Sequence, residues 1–464
     1  MIFRIFNKDV SAQSVLLVAG EGLLLYTSVL LAAGLRLKAT GSPVFSPQIF
    51  GKAAVIMIVC QACLYYNDLY DLKITDTYME LGLRLTKAIG VASIILALLY
   101  FLFPPLMISR GVFLIYILIV FVLVVAWRYG YSWVLKKSMF TEKIFILGDG
   151  KLSAQIINEI QDRPDCGYRI AGILPTEATS FPSIPAHIPV FSMNGTLCEL
   201  ARRSGTRKIT VAMDERRQRL PVKQLLQCKM NGIDVCQGET LYEELTGKLF
   251  IEKLNPSWLI FSDGFRKSPV TRVSKRLTGL VMSIVLLALI SPLLGIIAIA
   301  IKLDSKGPVF FSQSRCGQDG KPFNVLKFRS MIDNAEAETG PQWASDDDWR
   351  ITRVGHILRK FRLDELPQII NVLKGEMSFV GPRPERPEFV ETLTSEIPYY
   401  SERHTVKPGI TGWAQVSYGY GASVEAAMEK LKYDLFYVKN MSTALDLLVV
   451  FRTIKIILHQ SGAR

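Results

Sequence analysis

Residues 277–301 read LTGLVMSIVLLALISPLLGIIAIAI and contain no charged side chain. A run of this length is long enough to enter or cross a hydrocarbon layer about 30 Å thick. Ser291-Pro292 interrupts the run, and a proline inside a helix removes a backbone hydrogen bond and kinks the axis. Basic residues flank both sides: Arg272, Lys275 and Arg276 before the run, Lys302 and Lys306 after it. A straight span would put one basic flank outside, against the positive-inside bias. The residues leave two alternatives open, a re-entrant helix over 275–302 and an ordinary span with a proline kink.

Further apolar runs precede this one, at Ser14–Leu35, Ala53–Tyr66, Ala88–Ser109 and Gly111–Trp127. Half of the 464 residues are hydrophobic and only 20% are charged, whereas a soluble chain carries about a quarter charged residues. This composition excludes a disordered chain, and seven cysteines are too few for a secreted disulfide scaffold. Basic residues follow the fourth run, which places both ends of a four-helix bundle in the cytoplasm. We predict a membrane protein with a four-span transmembrane domain over residues 1–137.

The chain is strongly basic, with a net charge of +13. In a membrane protein this charge favours anionic lipid surfaces and phosphorylated substrates. We expect no nucleic-acid partner. Glu21, inside the first apolar run, is either functional or a helix-packing residue, and Cys60 and Cys63 are expected to pack within the second run.

Residues 138–265 predict a soluble α/β domain with a parallel sheet. Its expected strands are Lys143–Leu147, Tyr168–Leu174 and Lys208–Ala212, with a helix from Leu152 to Ile160. The turn GDG at 148–150 is similar to the start of a dinucleotide loop, in which glycines and a helix N-terminus cradle a pyrophosphate. Ser153 replaces the third glycine, and no acidic residue ends the second strand. A Rossmann-like domain with a structural or regulatory role is therefore favoured over a NAD site.

The last third of the chain carries an adjacent carboxylate pair, Asp364-Glu365, among basic side chains. Pro367 suits the start of a helix, which would put both carboxylates at its positively polarised N-terminus. Carboxylates in this position often only cap the helix. The neighbouring loop favours chemistry, because its prolines hold Arg383 and Arg386 out with little entropy to lose, as diphosphate binding requires. The pattern predicts Mg²⁺-assisted phosphoryl transfer, in which an aspartate can be the nucleophile.

Two segments, LDELPQ at 363–368 and NVLKGEMSFVGPRP at 371–384, resemble the signature of the bacterial sugar transferases. The matching positions also include Lys275-Arg276, Ser291-Pro292, KFRSM at 327–331 and VKPGITGWAQV at 406–416. The resemblance covers Val273 to about Ile457 and indicates a polyprenyl-phosphate hexose-1-phosphate transferase of the monotopic phosphoglycosyl transferase superfamily. The preceding spans and Rossmann-like domain are similar to the long form of that family.

The resemblance implies that residues 266–464 form the catalytic domain, with the re-entrant helix in one leaflet. Asp364 would attack the β-phosphate of a UDP-sugar, releasing UMP, and polyprenyl phosphate would then take the phosphosugar from the carboxylate. Glu365, with Asp364, would hold Mg²⁺. The implied phosphate-binding residues are Lys327, Arg329, Arg359, Arg383 and Arg386, and the implied basic residues at the membrane interface are Lys275 and Arg276. The sequence departs from the family at Asp348-Trp349-Arg350, where the family usually has Asp-Pro-Arg.

The resemblance also implies partners and a location. The lipid acceptor would be undecaprenyl phosphate, and UDP-glucose or UDP-galactose would be the donor, ahead of N-acetylated or diamino sugars. The reaction would initiate an exopolysaccharide, capsule or O-antigen repeat unit. We expect a homodimer in contact with membrane lipids, in the bacterial cytoplasmic (inner) membrane, with its soluble domains in the cytosol.

Two other classes of function are weighed against this one. A membrane-anchored nucleotide-sugar oxidoreductase would act through the Rossmann-like domain, but the glycine motif is broken and that domain lacks a Tyr-x-x-x-Lys pair. A regulatory scaffold without catalysis would not need Asp364, Glu365 and Arg383 together.

Overall fold

The computed structural model describes residues 2–5, 8–39, 47–70, 78–136, 141–163, 165–175, 188–191, 196–213, 220–252, 264–265, 267–332, 348–419, 421 and 423–459. The chain forms two compact units, Met1–Leu245 and Thr246–Arg464. The predicted domain boundaries after residues 137 and 265 adjoin residues 137–140 and 266, which lie outside the described ranges.

The N-terminal unit begins with an antiparallel hairpin, Ile2–Ile5 and Lys8–Ser11, which the sequence analysis did not predict. Apolar helices follow at Ala12–Ala39, Pro47–Tyr66, Tyr78–Leu102 and Arg110–Lys136. Each is long and apolar enough to cross a membrane. The first helix packs against the second and the fourth, and the third packs against both of these as well. The third helix ends at Leu102 because Pro104 and Pro105 cannot continue it.

A buried ion pair joins the first and fourth of these helices. The Glu21 side chain is fully buried, and its Oε1 accepts from Arg128 Nε at 2.6 Å. Arg128 also donates to the Leu69 carbonyl. Charged groups are placed inside a membrane at high cost unless they are paired. Glu21 therefore acts in helix packing. Cys60 and Cys63 are buried in the same bundle, as expected.

The rest of the N-terminal unit contains a parallel sheet which, in the residues described, has four strands. In chain order the strands are Glu142–Leu147, Tyr168–Leu174, Lys208–Val211 and Asp234–Gln237, and in space the order is second, first, third, fourth. The helices of this part are Lys151–Asp162, Leu197–Arg203, Val222–Met230 and Gly238–Thr246. Alternation of strands and helices produces this parallel topology.

The turn after the first strand of this sheet is built for close packing. Gly148 has φ +126°, and a Cβ there would lie 2.6 Å from the Ala212 carbonyl oxygen. Only glycine tolerates both the conformation and the contact. Ser153, which replaces the third glycine of a dinucleotide loop, is fully buried and donates to the same carbonyl at 2.9 Å. Ser153 thus ties the following helix to the third strand.

The C-terminal unit begins with residues that the sequence analysis placed in the Rossmann-like domain. Leu249 and Ile251 are buried in its main core, together with Trp413, Leu435 and Phe436. Trp413 Nε1 donates to the Gly247 carbonyl at 2.7 Å. The segment before residue 266 therefore supports the predicted catalytic domain directly.

The long helix, Pro269–Asp304, is the main apolar element of the C-terminal unit and is also long enough to cross a membrane. Ser268 caps its start by accepting from the Thr271 amide at 3.1 Å. The helix is assigned without a break through Ser291 and Pro292, so Pro292 lies inside one helix and the re-entrant turn stays a prediction. Many of its side chains are exposed: Val281, Ile284, Val285, Leu289, Leu293 and Ile296.

Both ends of the long helix contact the globular part of the C-terminal unit. Near the start, Gly279 lies against Val372 and Phe379. Near the end, Ile297 and Ile301 pack with Phe328 and Leu358. The helix is therefore anchored at both ends and exposed in between.

The globular part combines short strands and helices. Phe310–Cys316 and Pro322–Phe328 pair antiparallel, and Ser378–Val380 and Gly409–Thr411 pair parallel. Its helices are Arg353–Lys360, Gln368–Lys374, Pro387–Glu396, Trp413–Ser417, Val424–Asn440 and Thr443–His459. Single 3-10 turns cover Gln318–Gly320, Leu363–Glu365 and Tyr400–Thr405.

Candidate active site

Asp364 and Glu365 lie in the 3-10 turn Leu363–Glu365, directly before the helix Gln368–Lys374. Arg362 starts this turn in the left-handed conformation, with φ +55°. Pro367 precedes the helix, as predicted. The two carboxylates therefore lie at the N-terminal end of a helix, where the helix dipole favours negative charge.

Glu365 is held by two basic side chains. Lys327 Nζ donates to Oε1 at 3.1 Å, and Arg383 donates from Nη2 to Oε1 at 2.5 Å and from Nη1 to Oε2 at 3.2 Å. Burial opposes the ionisation of Glu365, but the positive charges of Arg383 and Lys327 outweigh it and hold the pKa of this carboxyl well below its usual range. Glu365 is therefore a fixed anion at neutral pH.

Asp364 has the opposite environment. Among the described residues its carboxylate has no hydrogen-bond or ion-pair partner, and it remains partly exposed. Burial raises the pKa of Asp364, and the charge of Glu365 raises it further, while Lys327, Arg359 and Arg383 oppose the increase. A more basic carboxylate with an open oxygen is suited to attack an electrophile.

Arg383 extends from a loop that is packed against a second glycine-rich segment. The Gly381 amide donates to the Thr411 carbonyl at 2.9 Å, and the Gly409 amide donates to the Pro382 carbonyl at 2.9 Å. A Cβ on Gly409 would lie 2.0 Å from the Gly381 nitrogen, so glycine is required for this approach. The two signature segments thus form one support for the arginine.

The structure brings together only part of the predicted phosphate-binding set. Lys327 and Arg383 reach Glu365, and Arg359, whose Nε donates to Ser330 Oγ at 3.0 Å, contributes positive charge to Asp364. Arg329 is 5% exposed and donates to the carbonyl and hydroxyl of Ser305 at 2.8 and 2.9 Å. Arg329 therefore fastens the end of the long helix.

The Arg386 side chain is also packed inside the C-terminal unit. It is 9% exposed, and its guanidinium lies 5.9 Å from the centre of the Phe389 ring at the start of the helix Pro387–Glu396. Its position in the sequence is next to the phosphate-binding candidates, but its side chain lies within the domain.

Lys275 and Arg276, expected at the membrane interface, form hydrogen bonds within the C-terminal unit. Lys275 is 9% exposed, and its Nζ donates to Asp446 Oδ2 at 2.7 Å, to the Val380 carbonyl at 2.8 Å and to the Tyr437 hydroxyl. Arg276 donates to the Leu373 carbonyl at 2.9 Å at the end of the helix Gln368–Lys374. Acceptors of the domain therefore bind both cations, and their place at a membrane interface stays a prediction.

The departure at Asp348-Trp349-Arg350 leaves the two charged residues paired. Arg350 Nε and Nη2 donate to the two carboxylate oxygens of Asp348 at 2.7 and 2.6 Å. Trp349 is 79% exposed. With tryptophan at this position, Asp348 and Arg350 thus form a bidentate ion pair across the turn.

The carboxylate pair fits a magnesium ion that a substrate helps to bind. Mg²⁺ is usually held by one or two carboxylates, waters and substrate phosphates. Asp364 is open, and Glu365 Oε2 accepts only from Arg383 Nη1 among the described contacts. No cluster of three or more ligating side chains occurs in the described part of the chain. Substrate phosphates would thus have to complete the ligand set.

Comparison with known proteins places this geometry in a family. A sequence model described as bacterial sugar transferase matches residues 270–460, which include Asp364, Glu365, Lys327 and Arg383. A protein of Caulobacter vibrioides named UDP-glucose:undecaprenyl-phosphate glucose-1-phosphate transferase is 41% identical over 201 residues, which cover 42% of this chain and 75% of that protein. The chain belongs to the bacterial sugar transferase family.

This sugar transferase is also similar to two further named transferases. A UDP-N-acetylgalactosamine-undecaprenyl-phosphate N-acetylgalactosaminephosphotransferase of Aeromonas hydrophila is 45% identical over 240 residues, covering 52% of the chain and 56% of the relative. A UDP-glucose:undecaprenyl-phosphate glucose-1-phosphate transferase of Escherichia coli K12 is 46% identical over 191 residues, 40% of each protein. The match thus spans 56% and 40% of the length of these two relatives. A second sequence model, described as a CoA-binding domain, matches residues 65–235.

Proposed function

We propose that this sugar transferase moves a sugar-1-phosphate from a UDP-sugar to undecaprenyl phosphate, with Asp364 as the nucleophile. The observation that carries the proposal is the contrast within the carboxylate pair: Glu365 is held by Lys327 and Arg383, while Asp364 is open. The names of the Caulobacter, Aeromonas and Escherichia relatives support the reaction class.

The proposed reaction has two displacements at one phosphorus. A carboxylate oxygen of Asp364 attacks the β-phosphorus of the UDP-sugar, the bond from that phosphorus to the bridging oxygen breaks, and UMP leaves with the electron pair. An oxygen of undecaprenyl phosphate then attacks the same phosphorus and breaks its bond to Asp364. The products are UMP and undecaprenyl-diphospho-sugar, and the carboxylate is regenerated.

The basic residues act on the charge of the diphosphate. Lys327 and Arg383 lie beside the carboxylates, and guanidinium and ammonium groups stabilise the charge that develops on transferring phosphoryl oxygens. Mg²⁺, when bound by Asp364 and Glu365, would supply further neutralisation of that charge. Glu365 keeps Lys327 and Arg383 in place before the donor binds.

The donor sugar is proposed to be glucose or galactose, with N-acetylated sugars next. The test is a panel of UDP-sugars, each incubated with undecaprenyl phosphate and Mg²⁺ and assayed for UMP. We expect one donor to release UMP, and Asp364→Asn to abolish this release. Asp319→Asn is the matched control, because Asp319 is an exposed turn residue of the same unit whose φ of +56° suits asparagine. UMP release from no UDP-sugar by the folded wild-type protein would refute the proposed function.

We further propose that the long helix is re-entrant, so that both of its ends face the cytosol. A straight helix would put Gly279 and Ile297 about 27 Å apart. Gly279 nevertheless contacts Val372, which packs with Val325, while Ile297 packs with Phe328 on the same strand. Pro292 provides a place for the axis to turn.

Cysteine labelling tests this topology. In a cysteine-free background, Arg272→Cys and Lys306→Cys place exposed thiols before and after the long helix. An impermeant maleimide should label neither position in intact cells and both after lysis. Labelling of the Lys306→Cys protein in intact cells would establish a full span. The cytoplasmic membrane location and the homodimer stay predictions.

A further inference from the structure

The loop that presents Arg383 is held by backbone and side-chain donors that bind its carbonyls. Prolines at 382, 384 and 387 have no backbone N–H, and the Pro382 carbonyl accepts from the Gly409 amide. Arg403 Nη2 donates to the Arg383 carbonyl at 2.9 Å, Arg315 Nη1 to the Pro384 carbonyl at 3.3 Å, and the Cys316 amide to the Glu385 carbonyl at 2.9 Å. Of these donors, Arg403 binds the backbone of the residue that grips Glu365.

Arg403 is itself fixed from the opposite side. It is 5% exposed and Asp434, on the helix Val424–Asn440, is 1% exposed, and the two form an ion pair at 2.8 Å. Arg403 Nη1 also donates to the Tyr400 hydroxyl at 2.7 Å, and its guanidinium lies 5.1 Å from the centre of that ring. The guanidinium is thus held by Tyr400 of its own 3-10 segment and by Asp434 of a separate helix.

The hydrogen bonding of the buried Arg403–Asp434 ion pair is incomplete, so stabilising the fold does not by itself explain the pair. Within the described residues, Arg403 Nε and both carboxylate oxygens of Asp434 lack a well-aligned hydrogen bond. Replacing a buried ion pair by apolar residues is often neutral or stabilising, and incompletely bonded buried groups in a native protein call for another explanation. Contact with the Arg383 backbone supplies one.

We infer that Arg403, anchored by Asp434 and Tyr400, is a positioning residue that sets the place of the Arg383 guanidinium against Glu365 and the donor diphosphate. This inference rests on the proposed function. Arg403 does not touch substrate in this assignment; it acts through the backbone of Arg383. A displacement of a substrate-binding group by about 1 Å can lower the rate on the order of 10²-fold.

A double-mutant cycle tests the inference, with kcat/KM for UMP release as the readout. We expect Arg403→Lys to lower kcat/KM about 10- to 100-fold, mainly through kcat, and Arg383→Ala to lower it about 10²- to 10³-fold. If Arg403 acts through Arg383, adding Arg403→Lys to Arg383→Ala changes kcat/KM by less than about threefold. If the decrease in kcat/KM of the double variant equals the product of the two single-variant decreases, Arg403 does not act through Arg383 and the inference is wrong.

Further variants keep the result interpretable. Tyr400→Phe removes only one hydrogen bond to Arg403 and should lower kcat/KM several-fold in the wild-type background but not with Arg383→Ala. Lys432→Met is the control. Lys432 is a buried lysine on the same helix as Asp434, and it forms ion pairs with Glu252 and Glu429. It should lower the thermal midpoint and leave kcat unchanged. If wild-type protein releases no UMP, the proposed function fails; if it releases UMP and the cycle is additive, only the role of Arg403 fails.

Discussion

Substitution of Lys275 by methionine tests how the long helix is attached to the catalytic unit. Lys275 Nζ has three acceptors within the domain: Asp446 Oδ2 at 2.7 Å, the Val380 carbonyl at 2.8 Å and the Tyr437 hydroxyl. Methionine fills a similar volume but leaves the Asp446 charge buried. Among the described residues, its remaining side-chain donor is the Tyr437 hydroxyl, at 2.6 Å from Oδ1. The substitution thus removes the positive partner of a buried ion pair.

The expected loss of stability follows from the burial of Lys275 and Asp446, whose side chains are 9% and 8% exposed. Removing one partner of such a pair costs about 3–5 kcal/mol. For a unit of this size each kcal/mol lowers the unfolding midpoint by about 2–4 °C, so we expect a decrease of roughly 6–20 °C.

Thermal unfolding of the detergent-solubilised protein is the assay, and Lys302→Met is the matched control. Lys302 is an exposed lysine on the same helix that donates to the Gly307 carbonyl at 2.9 Å, and surface substitutions usually change stability by less than about 0.5 kcal/mol. The double variant Lys275→Met/Asp446→Leu should recover most of the lost stability, because it removes both charges. An unchanged midpoint for Lys275→Met, or a double variant as unstable as the sum of its single changes, would show that the Lys275–Asp446 pair does not stabilise the attachment of the helix.

Three other predictions concern the site, the domain boundary and the bundle. Arg359→Gln removes a positive charge that lowers the pKa of Asp364. This pKa should then rise further, and the acidic limb of the pH profile for UMP release should move to higher pH. A shift to lower pH would show that Arg359 does not lower the pKa of Asp364. A chain that starts at Thr246 keeps Leu249 and Ile251 in the core, so it should unfold at a higher temperature than a chain that starts at Thr271. Both chains should release UMP. Equal unfolding midpoints would show that Leu249 and Ile251 add no stability. Glu21→Gln leaves Arg128 buried beside a neutral group and should destabilise the full-length protein by about 3–5 kcal/mol, measured by thermal unfolding, whereas an unchanged midpoint would show that the pair does not stabilise the bundle.

The elements predicted best from sequence are those whose pattern is local. The strand Tyr168–Leu174 was predicted at its observed bounds, because a short apolar run ended by a turn is typical of a buried strand. The strand Asp234–Gln237 was missed, since its end residues are exposed and it has no continuous apolar run. Apolar run length likewise predicted the membrane helices, but the proline pair at 104–105 ended one of them early.

The site residues that lie within the signature segments can be predicted from the sequence. The roles of residues whose hydrogen-bond acceptors lie far away in the sequence cannot. Asp364, Glu365, Lys327 and Arg383 were predicted together, and the structure brings them together. Lys275, Arg276 and Arg329 resemble exposed basic residues in the sequence, and only the fold reveals the buried acceptors that bind them. Arg403 was missed for the same reason, although its position just before the signature segment at 406–416 was a signal.

Mass spectrometry of the protein tests whether Asp364 accepts the phosphosugar covalently. The wild-type protein is incubated with its UDP-sugar and Mg²⁺ in the absence of undecaprenyl phosphate. We predict a burst of about one UMP per active site, a mass increase of one sugar phosphate on the peptide that contains Asp364, and loss of both on adding undecaprenyl phosphate; Asp364→Asn should show neither. Release of UMP only when undecaprenyl phosphate is present, with no adduct on Asp364 at any time, would contradict the account.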